Sequence, residues 1–407
     1  MKTILSLLST FLISLVYAQP EVIYSVDARG TMQRYSLKFG DEFNSKGLDR
    51  AKWLTSYPWG QNYAGTCYQE WMTDGDNLTF EDGKLGMVMK REQVTARGVG
   101  YESDTFKLQD GKDNLRTWEF TSGMIFSKEK FRKGLFEVRF KLPEGAGLWP
   151  AFWLYGGQPN EEFDIFEAKG EKINQVHYDM HCPGGDCKGF GNWLKMNQTF
   201  AAGFNTMSGV WNENSAYWYL NGQAFSVWKG TLKEPANIIA NLGLANDFGC
   251  PFGPGENDQT PFPATYEVDY IRLYQESDRS AFIRFDMNGT TKFEYEHGEA
   301  RVNRKASEMK KSLRALRKDK EYETMGHIRI YKDEVLKRLI VQFDDRSSAK
   351  MVAMSIIDKA GSTLARASTI NGNFINIDLN TLENGSYQFK INAGGNEMVE
   401  TLVIFNK

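Results

Sequence analysis

The 407-residue sequence has few cysteines, few histidines and little net charge. It contains four residues of each type and carries a formal net charge of −3, so neither nucleic acid nor an anionic membrane is expected as the main partner. No His-Cys spacing indicates a zinc site, and helical periodicity is almost absent between residues 35 and 275. After the first residues, no apolar run approaches the roughly 20 residues of a membrane-spanning helix. A helical fold and a membrane span are therefore not predicted.

The first 18 residues follow the order of a secretory signal peptide: a charge, an apolar run and small residues. Lys2 precedes an apolar run from Ile4 to Val16, and Ala18 stands before Gln19. A buried N-terminal helix is the alternative. The pattern predicts a signal peptide over residues 1–18 and an exported protein, secreted or at the cell surface.

Export favours disulfides over free thiols for the four cysteines. The short, flexible loop Pro183–Asp186 can bring Cys182 and Cys187 together, which leaves Cys67 to pair with Cys250. A zinc site is the alternative, and no ligand spacing supports it.

Short alternating strands, separated by Gly, Asn and Asp turns, fill residues 35–275. Gly134–Phe140 alternates apolar and polar side chains, and Asn221-Gly222 is typical of a tight hairpin. Residues 278–325 include nine basic residues between Arg301 and Lys320, which predicts a basic linker, in part helical. Alternation resumes over residues 326–407. The sequence therefore predicts an all-β protein with a large sandwich and a second, smaller C-terminal β-sandwich.

Three acidic side chains, Glu162, Asp164 and Glu167, form the strongest candidate for chemistry. Retaining cleavage of a glycosidic bond needs two carboxyl groups roughly 5 to 5.5 Å apart. In a regular strand Glu167 would face away from the other two, because side chains alternate with period two. A β-bulge near Ile165 and Phe166 would turn Glu167 onto their face and leave one of these two apolar residues, with Phe163, facing the core. A solvated acidic strand is the alternative.

The segment before the acids adds a possible sugar-binding face. Alternation places Trp149 and Trp153 on one side of their strand, where two coplanar indole rings would stack against pyranose rings. Burial of both rings in the core is the alternative. Asp164, close to Glu162, can share a proton with it and set which carboxylate is ionised.

Five motifs in this order resemble glycoside hydrolase family 16, in particular its laminarinase-like branch with a bulged Glu-x-Asp-x-x-Glu strand: Phe39–Asn44, Gly134–Arg139, Trp149–Trp153, Glu162–Glu167 and Val268–Arg272. The resemblance implies a concanavalin-like β-jelly-roll over residues 30–277 with an open cleft. It also implies retaining hydrolysis, with Glu162 as nucleophile, Asp164 as assisting acid and Glu167 as general acid/base.

The resemblance extends to binding residues. It implies that Trp149 and Trp153 line the subsite next to the scissile bond and that His181 is a cleft histidine, although a structural histidine is as compatible with the sequence. It implies no cofactor for catalysis. A structural calcium ion would be held by the backbone of Glu42 and Gly83 and the side chain of Asp269.

The substrate expected from this resemblance is a β-linked polysaccharide. β-1,3-Glucan or mixed β-1,3-1,4-glucan comes first, and an agar- or carrageenan-type galactan second, because Gln158–Glu161 and Phe163 depart from the usual laminarinase pattern. A non-catalytic, lectin-like glycan-binding protein on the same fold is the third reading.

The C-terminal region resembles a sorting domain of type IX secretion, so the secretion machinery is an expected partner. The segment Leu382–Tyr387 and the terminal Thr401–Lys407 carry this resemblance, and the Pro-Asn-Pro opening common in such domains is absent. A carbohydrate-binding module or a spacer is the alternative.

Overall fold

The computed structural model describes residues 22–26, 32–64, 67–100, 115–157, 161–182, 187, 190–247, 250–277, 282–286, 326–333, 338–343, 352–367, 374–393 and 396–405. These residues are almost entirely β-structure, with one short 3-10 helix, Gly170–Lys172. The predicted signal peptide and most of the predicted linker lie outside them. Within the described ranges, no helix has the length and apolar character needed to cross a membrane.

In the part of the chain that the structure describes, twenty strands precede residue 277: β1 (Val22–Val26), β2 (Met32–Asp41), β3 (Trp53–Leu54), β4 (Tyr63–Ala64), β5 (Glu70–Met72), β6 (Leu78–Glu81), β7 (Lys84–Arg97), β8 (Val99–Gly100), β9 (Leu115–Ser122), β10 (Met124–Ser127), β11 (Gly134–Lys141), β12 (Leu148–Gly157), β13 (Glu161–Ala168), β14 (Gln175–His181), β15 (Asn192–Lys195), β16 (Asn205–Trp211), β17 (Ser215–Leu220), β18 (Gln223–Lys229), β19 (Asn237–Leu244) and β20 (Ala264–Glu276). Eight follow it: β21 (Phe282–Asp286), β22 (Gly326–Asp333), β23 (Arg338–Phe343), β24 (Val352–Ile357), β25 (Thr363–Ala367), β26 (Phe374–Asp378), β27 (Gly385–Ala393) and β28 (Asn396–Phe405).

The chain divides into two compact units. The large unit comprises residues 39–220 and 227–273, and the small unit comprises residues 1–38, 221–226 and 274–407. Both contain packed β-sheets, so the predicted all-β architecture with a second, smaller C-terminal sandwich is confirmed. The predicted boundaries at residues 30, 277 and 326 stay predictions.

Two sheets pack face to face in the large unit. One, here named the acidic sheet, has the strand order β15-β14-β13-β12-β19-β10-β3. The other contains β17-β16-β11-β20, and β20 also pairs with β7. Phe140 of β11 stacks on Phe166 of β13 with ring centroids 4.3 Å apart. All eight residues of β19 are buried, because this strand lies between β12 and β10 in the middle of its sheet.

Both predicted disulfides are present in the large unit. Cys67 bonds to Cys250 with Cα atoms 5.3 Å apart, and Cys182 bonds to Cys187 with Cα atoms 5.8 Å apart. Cys182, the first partner in the second bond, directly follows β14. The structure thus excludes the alternative of a zinc site built from these four cysteines.

The small unit contains elements that the sequence pattern did not predict there. Strand β1 pairs antiparallel with β22, so an N-terminal strand extends the sheet formed by β22, β23 and β26. Strand β21, which lies inside the predicted linker, pairs in parallel with β28. The two sheets enclose a core that includes Ile330, Val341 and Ile356. Pairing between strands that lie far apart in the sequence decides where β1 and β21 are placed. The local alternation of apolar and polar side chains gives no information about such pairing.

Candidate active site

An extra residue interrupts the pairing of β13 on both sides. Along β12, Phe152 pairs with Phe166 and the next residue, Trp153, pairs with Asp164. Along β14, Asp164 pairs with Asp179, whereas Glu167 pairs with His177. Three steps along β13 therefore match two steps along β14. This is the bulge that the spacing of the acidic residues predicts.

The bulge fills the space between the two sheets with apolar side chains. Phe163, Ile165 and Phe166 are all fully buried. The prediction that only one of Ile165 and Phe166 faces the core is wrong. Phe166 stacks on Phe140 of the facing sheet. Gly209 of β16 gives Phe163 and Ile165 room, because a Cβ atom there would lie 2.7 Å from Phe163 Cζ and 2.8 Å from Ile165 Cγ1. The missing side chain leaves room for both residues.

Glu162 and Asp164 form a coupled pair of carboxyl groups. The interaction between their side chains raises the pKa of Glu162 and lowers that of Asp164. Burial raises the pKa of Glu162 well above its usual value, and the charge of Asp164 raises it further. Burial also raises the pKa of Asp164, followed by the charges of Glu167 and Asp179. Asp164 is 1% exposed and Glu162 is 24% exposed, so the penalty for a charge is greater on Asp164.

Glu167 is held from two directions. Trp149 Nε1 donates a hydrogen bond to Glu167 Oε1 at 3.0 Å. His177 Nδ1 lies 3.3 Å from Glu167 Oε2, and His177 is the cross-strand neighbour of Glu167 on β14. The bulge thus brings Glu167 to the same surface as Glu162 and Asp164, where the charges of the three carboxyl groups influence one another.

His181 lies among the acidic groups at the other end of the cluster. Its Nε2 atom is 3.1 Å from Asp164 Oδ2, 4.0 Å from Glu162 Oε1 and 3.8 Å from Asp179 Oδ2. The ring is 45% exposed. Asp179 was not predicted from the sequence. The alternation His177, Asp179, His181 on the strand after the acids is the signal that could have indicated it.

Trp149 is not the open platform for a sugar ring that the sequence predicts. Tyr68 stacks on it at 4.9 Å and Phe252 stacks on it at 4.4 Å, each ring within 6° of parallel. Its indole faces are thus engaged by other aromatic rings, while its N–H orients Glu167. Trp149 and Trp153 are therefore not arranged as an open pair of coplanar platforms.

Of the two tryptophans predicted to line the sugar-binding subsite, Trp153 has the ring that is more open to a sugar. It is partly buried and packs against a cluster that includes Tyr57 and Tyr155. Its Nε1 atom donates to Asn241 Oδ1 at 2.8 Å, which fixes the ring orientation. Trp59 stacks on Tyr57 at 4.8 Å within the same cluster. The Tyr57-Pro58-Trp59 segment could have indicated this neighbour from the sequence.

Tyr68 lies close to the carboxyl groups. Desolvation raises the pKa of its phenol well above the usual value, and the nearby Tyr57, Glu167, Glu162 and Glu70 raise it further. The phenol therefore stays protonated at neutral pH. It can act as a hydrogen-bond donor.

The predicted calcium ligands lie beside arginine side chains. Arg139 Nη1 donates to Asp269 Oδ2 at 2.6 Å. Arg272 holds both carboxylate oxygens of Glu42, each at 2.7 Å. These contacts engage Asp269 Oδ2 and the side chain of Glu42, whereas the predicted ligands of Glu42 and Gly83 are backbone atoms, so the calcium site stays a prediction. Gly83 lies beside the side chain of Asn44.

Comparison with known proteins identifies the family. The sequence model of glycosyl hydrolases family 16 matches residues 68–243, and that of a secretion system C-terminal sorting domain matches residues 335–405. A glucan endo-1,3-beta-glucosidase of Cryptopygus antarcticus is 32% identical over 266 residues, which span 58% of this chain and 91% of the relative. Glucan endo-1,3-beta-glucosidase A1 of Niallia circulans is 29% identical over 275 residues, which span 59% of this chain and 38% of that relative.

Solved structures agree in fold. The endo-beta-1,3-glucanase from Pyrococcus furiosus is 26% identical, with a TM-score of 0.52, and the match covers 64% of this chain and 99% of that one. The catalytic domain of a laminarinase from Thermotoga petrophila RKU-1 is 26% identical, with a TM-score of 0.50, covering 60% of this chain and 99% of that one.

The β-jelly-roll with carboxyl groups on its acidic sheet defines a glycoside hydrolase. The chain belongs to glycosyl hydrolases family 16, with a laminarinase-like pattern. The sorting-domain match places it among exported proteins, secreted or at the cell surface.

Proposed function

We propose that this protein is a retaining endo-glycosidase that hydrolyses β-1,3-glucan or mixed β-1,3-1,4-glucan. The observation that carries the proposal is the bulge in β13, because it brings Glu162 and Glu167 to one surface although they are five positions apart. In this mechanism Glu162 attacks the anomeric carbon and Glu167 protonates the leaving oxygen. Glu167 then activates a water molecule that hydrolyses the glycosyl-enzyme intermediate.

Asp164 acts through Glu162 in this mechanism. Glu162 must be ionised to attack, and we place the proton of this pair on Asp164, because its deeper burial makes a charge there more costly. Asp164 can then donate its hydrogen bond to Glu162 while the nucleophile loses its charge to the new bond. Trp149 and His177 orient Glu167 for proton transfer.

The relatives support the choice of substrate. Two are named glucan endo-1,3-beta-glucosidase, and a third, of Rhizobium meliloti, is named endo-1,3-1,4-beta-glycanase and is 29% identical over 254 residues. A keratan-sulfate endo-1,4-beta-galactosidase of Sphingobacterium multivorum is 25% identical over 259 residues, which keeps a galactan as the second candidate. Trp153, beside Tyr57, is the best-placed ring for a sugar face.

The test is a polysaccharide panel of laminarin, lichenan, agarose and carrageenan, with product sizes measured by chromatography. We expect oligosaccharide products from laminarin or lichenan, and retention of anomeric configuration in the first product by NMR. Glu162→Gln should lower kcat by several orders of magnitude with an unchanged circular dichroism spectrum.

Glu161→Gln is the matched control. Glu161 adjoins Glu162 but accepts hydrogen bonds from the backbone N–H groups of Lys233 and Glu234 instead. The control variant should keep its turnover. Tight glycan binding by the wild type without any product would contradict the enzyme proposal and favour a lectin-like protein. Products from agarose or carrageenan alone would contradict the glucan assignment.

A further inference from the structure

The cluster around His181 has the composition of a transition-metal site. Among the described residues, the side chains of Glu162, Asp164 and His181 form a group in which one ligand atom from each lies within 4.8 Å of the others. The atoms are one imidazole nitrogen and two carboxylate oxygens. This mixture of nitrogen and oxygen ligands suits Zn²⁺, whereas Mg²⁺ prefers oxygen ligands in octahedral geometry.

The distances are within about half an ångström of the spacing in a zinc coordination sphere. Bonds of about 2.0 to 2.2 Å in a tetrahedron place neighbouring ligand atoms roughly 3.3 to 3.6 Å apart. His181 Nε2 is 3.1 Å from Asp164 Oδ2 and 4.0 Å from Glu162 Oε1, so the observed values bracket that spacing. Asp179 Oδ2, at 3.8 Å from the same nitrogen, is available as a further oxygen ligand.

A second observation points to a ligand in this cluster. Asp164 is 1% exposed, and its Oδ2 atom accepts no hydrogen bond from any described group although it lies 3.1 Å from His181 Nε2. A buried carboxylate oxygen without a hydrogen bond is costly, and a bound cation would remove that cost. The His181 side chain is 45% exposed, so the cluster borders solvent.

We propose that Glu162, Asp164 and His181 form a binding site for Zn²⁺ or a similar transition-metal dication. The ion binds the carboxylate of Glu162, which is the nucleophile in the proposed mechanism. Metal binding and catalysis are then mutually exclusive, and the metal acts as a reversible inhibitor. The inhibitory effect rests on the proposed function, but the binding site does not.

The binding test uses the full-length exported chain without a polyhistidine tag, in a buffer that does not chelate metals. Isothermal titration calorimetry with Zn²⁺ should show one binding site per chain, and excess Mg²⁺ should not displace Zn²⁺ from it. When Co²⁺ is bound instead of Zn²⁺, the protein should show visible absorption bands typical of a metal ion with a low coordination number. His181→Gln should weaken Zn²⁺ binding by about tenfold or more, and Asp164→Asn should have a similar effect.

His177→Gln is the matched control, because His177 lies on the same strand but contacts Glu167 instead of Asp164. It should keep the wild-type affinity for Zn²⁺. Unfolding temperatures of all variants are compared first, and the exposed position of His181 makes its substitution the one least dependent on folding. Equal Zn²⁺ affinity in wild type and His181→Gln, equal losses in both histidine variants, or no Zn²⁺ binding by the wild type would each overturn the proposal.

Activity gives an independent readout. If the proposed function holds, Zn²⁺ should raise the apparent KM for the polysaccharide and leave kcat unchanged. If the polysaccharide panel shows no turnover, the titrations still decide whether the metal site exists. Zn²⁺ binding that leaves turnover and KM unaffected would place the ion elsewhere and also overturn the proposal.

Discussion

Glu70 should make the stability of the large unit depend on pH. This residue of β5 is fully buried, and its Oε2 atom accepts a hydrogen bond from Leu244 N at 2.9 Å. Its Oε1 atom has no hydrogen-bond partner among the described residues. Burial raises the pKa of Glu70 from 4.5 to about 8, against a smaller lowering by backbone hydrogen bonds. The folded protein therefore keeps this carboxyl protonated at neutral pH.

The sign and size of the effect follow from proton linkage. Between pH 4.5 and about 8 the folded state holds a proton that the unfolded state has released, so the free energy of unfolding falls as pH rises through this range. At about 1.4 kcal/mol for each pKa unit, the loss between pH 5 and pH 8 is roughly 3 to 4 kcal/mol. Below pH 4.5, the pKa of Glu70 in the unfolded protein, both states are protonated, so Glu70 no longer makes the free energy of unfolding depend on pH.

The assay compares the wild type with Glu70→Gln by urea unfolding at pH 5 and pH 8. All ten tryptophans lie between residues 53 and 228, so tryptophan fluorescence reports the large unit. Glutamine keeps an oxygen for Leu244 N and has no proton to lose. Relative to wild type, the variant should therefore gain roughly 3 to 4 kcal/mol on going from pH 5 to pH 8.

A control separates this effect from general loss of charge. Glu81→Gln removes an exposed carboxylate from β6, the next strand along the chain, and the free energy of unfolding of this variant should change with pH as that of the wild type does. If wild type and Glu70→Gln show parallel stability curves from pH 5 to pH 8, the reasoning from burial is refuted.

Two further substitutions test the packing behind the carboxyl groups. Trp149→Phe keeps a ring for stacking but removes the N–H that donates to Glu167. The kcat of this variant should fall by about tenfold, while its KM changes little. An unchanged kcat with an unchanged pH profile would show that this hydrogen bond does not orient Glu167. Gly209→Ala places a methyl group 2.7 Å from Phe163, which should lower the free energy of unfolding by about 1 to 3 kcal/mol in urea titrations. A fully stable Gly209→Ala protein would mean that the sheets can separate locally without cost.

Local chemistry made several features predictable from the sequence. Asn221 and Gly222 have φ angles of 49° and 79°, as a tight hairpin turn requires. The bulge in β13 was predictable because side chains alternate with period two, so carboxyl groups at Glu162 and Glu167 can share a face only if one residue is added. The two disulfides followed from export and one short loop.

Long-range packing supplied what the sequence pattern could not. Tyr68 and Phe252 stack on Trp149 from distant parts of the chain, which changes that ring from an open platform into a donor that orients Glu167. His177 contacts Glu167 because the register of β14 places it there. The pairing of β1 with β22 has the same origin.

The sequence by itself thus determined the kinds of strands, the acidic strand with its extra residue, and the family. The periodicity and chemistry of neighbouring residues are local properties, so they are readable along the chain. Only the tertiary structure decided which side chains surround the carboxyl groups, because those contacts depend on how distant strands align and on the space that residues such as Gly209 leave between the sheets.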